Sequence, residues 1–367
     1  MRTIRLLIYG EIASAVAFVT LGFLSLFFFF DFVDELQNLG KGVGGSYGLT
    51  QALSFVVLLL PSHLYELLPI AVLIGSIFVM ARMAQSSEYT ILRTSGMGPG
   101  RFLRVLLLLG AGFAALTFAV GDYAAPAADR QAQLLKARYL RNITIGQTGA
   151  WLKEKHAQRN FAVNIQELSP DGQLLRLRIF EFDADGLLSA TIESESAKFV
   201  RGGWRLAQVQ RTDFSQARRD SSAVLRSQSD EMLWPTDITS EMVAVAILKP
   251  ERMGTLDLFN YIQHLNENGQ TSQRYAIEFW KKVFYPLSCL VVMMLALPFA
   301  YLHLRSGSIT GYVFGGVMTG ISFFLLNNLF GYIGNLQNWL PWLTALAPSL
   351  IYLAFSLGAF SWLVLKR

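Results

Sequence analysis

The chain has 367 residues, of which 53% are hydrophobic and only 16% charged, with a mean hydropathy of +0.38. Soluble domains run at about 45–50% apolar and about 25% charged, so this composition excludes a disordered chain, a small disulfide scaffold and a water-facing globule. One cysteine, Cys289, forbids an internal disulfide or a cysteine-based metal cluster, and the net charge of +5 has to be read by its position along the chain.

In chain order, six apolar stretches reach the roughly 20 residues that a bilayer crossing needs. They run from about Ile12 to Phe30, Leu53 to Ala81, Leu103 to Val120, Val283 to Leu302, Ile309 to Ile333 and Leu343 to Leu365. The first follows a basic start, Met1 to Arg5. It exceeds a signal-peptide core and ends in Phe27-Phe28-Phe29-Phe30-Asp31, not in small residues, so it reads as a retained helix. The predicted architecture is an α-helical membrane protein of three plus three spans. Residues 1–122 hold the first three spans, 274–367 the last three, and the polar stretch 123–273 forms an inserted all-β, jelly-roll-like domain.

Between Asp129 and Glu267 basic and acidic residues are equal in number, so the whole excess of +5 belongs to the membrane half. Arg2 and Arg5 precede the first span, and Arg82, Arg93, Arg101 and Arg104 lie between the second and third. Arg305 sits between the fourth and fifth, and Lys366 and Arg367 close the chain. The alternate loops carry Asp31, Asp34, Glu35 and Lys41, or no charge around Asn335 to Trp342. The positive-inside rule then predicts cytoplasmic termini and a polar domain on the far side. The basic excess is a topology signal and implies no nucleic acid.

The inserted region reads as β. Leu175, Leu177 and Ile179 alternate with Arg176 and Arg178, the period-2 pattern of a half-buried strand. Lys198-Phe199-Val200, Gly202-Gly203 and Trp204 to Val209 read as two strands around a tight turn, with further turn signals at Asp171-Gly172 and Asp185-Gly186. Thr255 is placed to cap a short helix with Leu258, Tyr261, Ile262 and Leu265 on one face, ending at Asn268-Gly269.

Catalytic signals are weak. Gly44-Gly45-Ser46-Tyr47-Gly48 fits the hydrolase pattern G-x-S-x-G, but it lies in a glycine-rich connector between two membrane helices and reads as a flexible turn. His63, His156, His264 and His303 have no zinc spacing, and no phosphate-binding loop is present, so the chain reads as a non-enzyme with no cofactor or metal of its own. The loop after the second span says more. Between about residues 84 and 96, Ser86 or Ser87 can cap a helix, Glu88 suits its positive end and Gly96 can stop it. Tyr89, Leu92 and Arg93 would then share one face. This is either a solvated connecting helix or a coupling helix that docks into a cytoplasmic motor subunit, with Glu88 as its acidic handle.

The stretch Gln85 to Gly96, with the shape Glu88-x-x-x-x-Arg93-x-x-Gly96, resembles the LptF/LptG permeases of lipopolysaccharide export, in particular their LptG branch. Similar matches are Phe32-Val33-Asp34-Glu35-Leu36, Gly121-Asp122-Tyr123-Ala124-Ala125-Pro126, Gln273-Arg274-Tyr275, Pro286-Leu287-Ser288 to Leu304-Arg305-Ser306, and Thr319-Gly320-Ile321-Ser322-Phe323. Their order along one chain covers nearly the whole membrane half.

The resemblance implies a Gram-negative inner-membrane protein with a periplasmic β-domain. It would pair with an LptF-like permease, bind an LptB-like ATPase dimer that uses ATP and Mg, and associate with an LptC-like bitopic protein. Lipopolysaccharide would leave the outer leaflet through a lateral opening and pass to an LptA-like periplasmic bridge. On that reading Glu88, Tyr89, Leu92 and Arg93 contact the ATPase. Phe23, Leu26, Phe27 and Phe30 of the first span, and Gly311, Gly315 and Phe324 of the fifth, line the cavity or gate; otherwise the first-span stripe faces bulk lipid or a neighbouring helix, and the fifth-span glycines serve ordinary packing within the chain. Gly316-x-x-x-Gly320 repeats the small-residue spacing that lets helices approach closely. Lys281 and Lys282 read as snorkelling to headgroups. Where the LptG branch can carry lysines beyond the first span, this chain has Asp31, Gln37 and Asn38, with Ser62 at a further lysine position. Either Lys41 makes the headgroup contact, or a partner supplies the charge, or the headgroup differs. The alternative to export is a mechanotransmitting subunit that moves a periplasmic domain without passing lipid.

Overall fold

The computed structural model describes residues 2–41, 47–96, 98–140, 150–155, 159–168, 173–214, 224–236, 238, 243, 250–300 and 309–362. The turn at Gly44 to Ser46, His156, Asp171-Gly172, His303, the stretch around Arg305, and Lys366-Arg367 lie outside the described residues. The chain divides into two compact units, one of residues Met1–Val33, Val57–Ala128 and Gln273–Arg367, the other of Asp34–Val56 and Asp129–Ser272.

The first unit carries the six helices long and apolar enough to cross a membrane. In order they are α1 (Arg2–Leu36), α2 (Leu49–Gln85), α4 (Pro99–Ala119) continuing as α5 (Ala125–Leu140), α7 (Gln273–Phe284) continuing as α8 (Ser288–Ala300), α9 (Ile309–Leu336) and α10 (Pro341–Phe360). A short helix, α3 (Glu88–Thr94), connects the second span to the third. In α2, Pro61 and Pro69 sit inside a helix that stays continuous. Buried spans tolerate proline because neighbouring helices satisfy the freed carbonyls. The core joins Ile8, Ile12 and Val16 of α1 to Leu73, Ile77 and Met80 of α2, Phe102 and Leu106 of α4, and Val292, Met293 and Ala296 of α8. Gly75 is required there, because a Cβ would stand 2.8 Å from the Val16 backbone nitrogen.

Two spans are interrupted. A single π turn, Val120–Ala124, separates α4 from α5, and a 3-10 turn at Tyr285–Leu287 separates α7 from α8, where Pro286 has no N–H to give. The fourth span begins at Gln273, well before the Val283 expected from hydropathy. The averaging fails because both lysines are held by the protein. Lys281 lies 2.7 Å from Glu278, and Lys282 is buried and bonded to the third span, so neither snorkels.

The second unit holds a six-stranded antiparallel sheet in plain meander order: β1 (Ala150–Lys155), β2 (Asn160–Leu168), β3 (Leu174–Phe182), β4 (Leu188–Val200), β5 (Gly203–Asp213) and β6 (Leu225–Trp234). The β4–β5 turn falls at Gly202-Gly203 as the sequence predicts. Gly203 has φ +143, and a side chain there would run into the Trp234 carbonyl. Leu152, Ile165, Leu177, Ile192, Leu206 and Val209 form the buried face. Glu181, also buried, is bracketed by Arg159 at 2.5 Å and Arg211 at 3.0 Å.

A crease crosses this sheet. The pairing skips one level in four successive ladders, through Gln166, Arg176, Glu195, Gln208 and Asp230. Arg176 and Gln208 adopt left-handed φ values of 53° and 50°. On either side of the crease the buried parity switches: Leu174 and Leu177 both face inward, as do Leu206 and Val209. The Ser194 hydroxyl lies 2.8 Å from the Ser196 carbonyl oxygen and 2.7 Å from that of Ala207, serving acceptors where the ladder is broken.

Helix α6 (Thr255–Glu267) buries Leu258, Tyr261, His264 and Leu265. Its cap is the extended Gly254, so Thr255 is the first helical residue and not the cap. His264 replaces Ile262 on the buried face, and burial pushes its pKa below the usual 6.5 against the pull of Glu154 and Glu267.

Two stability predictions follow from this unit. Ser194→Ala leaves partly buried carbonyls short of a donor and should destabilise the chain by about 1 kcal/mol, read as a lowered melting temperature in detergent. Because the folded pKa of His264 is depressed, its contribution is complete above about pH 6.5 and is lost as pH falls through the lowered value. Melting temperature should therefore drop on acidification below that point, and His264→Gln should flatten the drop.

Candidate functional site

At the connecting helix, Ser87 has φ 59° and its side chain makes no capping bond, so neither expected serine cap forms. Ser86 instead bonds back to the Arg82 carbonyl at 3.0 Å. Glu88 opens α3, and Gly96, at φ 95°, ends it with its N–H on the Arg93 carbonyl. The expected shared face is divided. Tyr89 is buried with its ring edge-on to Phe102 at 5.0 Å, and Leu92 packs against the same core. Glu88, Ile91 and Arg93 point outward, with Ile91 64% exposed. Ile91 was not singled out from sequence. Its signal is that helical spacing puts it one turn beyond Glu88, on the face away from Tyr89. Arg82 at the end of α2 meets Glu11 of α1 at 2.7 Å, joining these helices near the connecting loop.

At the opposite end of the first two spans, Phe23 and Phe27 are half-buried while Leu26 and Phe30 are exposed. The Phe27 ring lies 4.8 Å from the His63 ring, and His63 Nε2 lies 2.7 Å from Asp31 Oδ2. Asp31 and Phe27 are four residues apart on α1, so both meet the same side chain of α2. His63 was noted in the sequence only as one of four scattered histidines. A lone histidine carries no pairing signal until α1 and α2 are laid together.

The fifth span separates its two glycine pairs. A Cβ on Gly316 would stand 3.0 Å from Ile77, and one on Gly320 2.9 Å from Ile70, so this pair is the packing seam against α2. At Gly311 and Gly315 a Cβ would meet nothing within 4 Å. Phe324 is 37% exposed.

In the second unit, Lys41 is exposed and donates to Asn38 Oδ1 at 3.0 Å. The buried charge nearby is Glu35, which accepts from Tyr47 Oη at 2.6 Å and Asn38 Nδ2 at 3.2 Å and pairs with Lys136 Nζ at 2.8 Å. Lys136 also lies 3.9 Å from the centre of the Phe55 ring. Burial, reinforced by the neighbouring Glu35, pushes the Tyr47 phenol above its ordinary range. Tyr47, in the connector that carries the G-x-S-x-G pattern, thus anchors the Glu35 carboxylate of α1. The crease of the sheet opens a polar groove of about 850 Å³, lined by Arg176, Arg178, Glu193, Glu195, Gln208 and Asp230 among others. Among the described residues no group of three or more His, Cys, Asp or Glu is placed to hold a metal ion.

Three spans, an inserted sheet domain and three more spans, with a short helix after the second, define a polytopic membrane protein. Residues 6–365 match the family described as lipopolysaccharide export system permease LptF/LptG, and the chain belongs to that family. Among its relatives is the lipopolysaccharide export system permease protein LptG of Escherichia coli K12, 29% identical over 340 residues, covering 92% of this chain and 90% of the relative. The protein of the same name from Haemophilus influenzae is 26% identical over 326 residues, covering 88% of each chain.

The burial of Tyr89 separates structural from outward-facing roles in α3. Tyr89→Ala should destabilise the chain by about 3 kcal/mol through the cavity beside Phe102, while Ile91→Ser should cost less than about 0.5 kcal/mol. Thermal unfolding of the two purified variants in detergent checks this.

Proposed function

We propose that this chain is the LptG-like subunit of an exporter that extracts lipopolysaccharide from the outer leaflet of the inner membrane. The observation that carries the proposal is family membership across nearly the whole chain, with relatives named as lipopolysaccharide export permeases. In this reading both termini are cytoplasmic and the sheet domain is periplasmic, in line with the basic loops at Arg82 to Arg104. An LptF-like permease is the partner, with an LptC-like bitopic protein alongside. An LptB-like ATPase dimer supplies energy from below, and an LptA-like bridge receives the lipid above.

The geometry supports a division of surfaces. The exposed face of α3, with Glu88, Ile91 and Arg93, offers an acid, an apolar contact and a base to the ATPase. Gly311 and Gly315 leave α9 smooth where no neighbour lies among the described residues, which suits a partner helix or a passing acyl chain. Phe23, Leu26, Phe27 and Phe30 give α1 an apolar stripe for acyl chains. Asp31, at the end of the first span, pairs with His63 of the second, so positive charge for headgroup phosphates falls to Lys41 or to the partner, unless the headgroup itself differs.

Purification with the partner subunits and mass spectrometry of the retained lipid tests the proposal. Lipopolysaccharide should co-purify, and its absence from an intact complex counts against export. Glu88→Ala should lower nucleotide-driven lipid release by about tenfold while the isolated subunit stays folded; a change of about tenfold is about 1.4 kcal/mol of coupling.

A further inference from the structure

A buried ammonium in a membrane span is costly and is kept only with partners that replace water. Lys282 of α7 is such a group, 5% exposed, with its Nζ donating to the Gly121 carbonyl at 2.8 Å. Gly121 lies in the π turn of the third span. A π turn shifts the helical bonding by one residue, and such turns concentrate at functional positions. The same Nζ stands 5.6 Å from the centre of the Tyr65 ring of α2. Gly121 is pressed against that ring so closely that no side chain fits between them. Spans two, three and four therefore meet at one point through an ammonium, a carbonyl and an aromatic face.

The same three spans are tied at further levels. Tyr285 Oη donates to the Glu66 carbonyl at 2.5 Å, joining spans four and two, and its ring lies 5.1 Å from Tyr65. Thr117 Oγ1 and Cys289 Sγ are 3.4 Å apart, joining spans three and four. Ser76 Oγ donates to Met293 Sδ at 3.2 Å, and a Cβ on Gly110 would stand 3.2 Å from the Met293 side chain. Sliding span three past span four would take the Gly121 carbonyl from Lys282, and sliding span two would take away the Tyr65 ring.

We infer that Lys282, through the Gly121 carbonyl and the Tyr65 ring, is a positioning residue that locks spans two, three and four into one body whose internal arrangement is unchanged through the transport cycle. Opening towards the bilayer then takes place outside that body. The inference rests on the permease reading for its effect on transport, and on the geometry alone for the lock.

The native Cys289 supplies the test. Thr117→Cys should form a disulfide with it under oxidation, clamping span three to span four. In the reconstituted complex the oxidised variant should release lipopolysaccharide within about twofold of its reduced form. A drop of about tenfold or more that reductant reverses would overturn the lock. Lys282→Met should lower release by about tenfold in an assembled complex, and oxidised Thr117→Cys/Lys282→Met should regain it, a rescue that general destabilisation would not give. A Lys282→Met complex as active as the parent also overturns the inference. If the parent complex moves no lipopolysaccharide, the permease reading fails, and the lock is read from spin labels. Leu116→Cys and Leu287→Cys in a Cys289→Ser chain should show one unchanged interlabel distance with and without nucleotide bound to the ATPase. A shift of about 5 Å, one helical turn, would overturn it.

Discussion

Inside a bilayer, a backbone carbonyl or side-chain charge has no water to fall back on, and much of this membrane unit is arranged around that fact. Lys282 and the π turn at Gly121 meet two needs with one bond, which gives the ammonium an acceptor and the carbonyl a donor. The glycine is needed so that Tyr65 can close over the contact. Pro61 and Pro69 in α2, Pro286 between α7 and α8 and Pro348 in α10 each remove a helical hydrogen bond. They sit where neighbouring spans enclose the chain. The cost of a polar group in hydrocarbon thus decides which helices pack and how closely.

The second unit meets the same constraint with different chemistry. Two of its buried carboxylates, Glu35 and Glu181, are each held by at least one base, Lys136 in one case and Arg159 with Arg211 in the other. Burial raises the penalty for an unpaired charge, so removing one partner is far worse than never having placed the pair. The crease extends the pattern to the backbone: where the ladders skip a level, Ser194 supplies a donor, and on β6 the Ser229 hydroxyl donates to the Glu231 carbonyl at 2.8 Å. A six-stranded meander is thereby bent without abandoning its register.

Function on this scaffold divides between surfaces of opposite character. The outward residues of α3 belong to a short helix whose inner side is fixed by Tyr89 against Phe102, so a force applied there reaches the span core directly. The open glycines of α9 lie one residue out of phase with the pair that packs on α2, and a single helix thereby presents a fixed seam and a free face. The family to which the chain belongs is one of lipopolysaccharide export permeases.

Composition, hydropathy and charge placement determined the span count, the inserted β region and the basic loops, because these follow from the cost of moving whole segments out of water. Turn chemistry likewise placed Gly202-Gly203 and Gly96, where left-handed φ values demand glycine. Only the tertiary structure decided which faces of those segments are used. Tyr89 and Arg93 share a spacing but not an environment, Gly311 and Gly316 share a motif but not a neighbour, and His63 and Lys282 gain roles from partners 32 and 161 residues away. The physical reason is that helical periodicity fixes how residues are arranged around one axis. What each face meets depends on packing between axes, and no single segment encodes that.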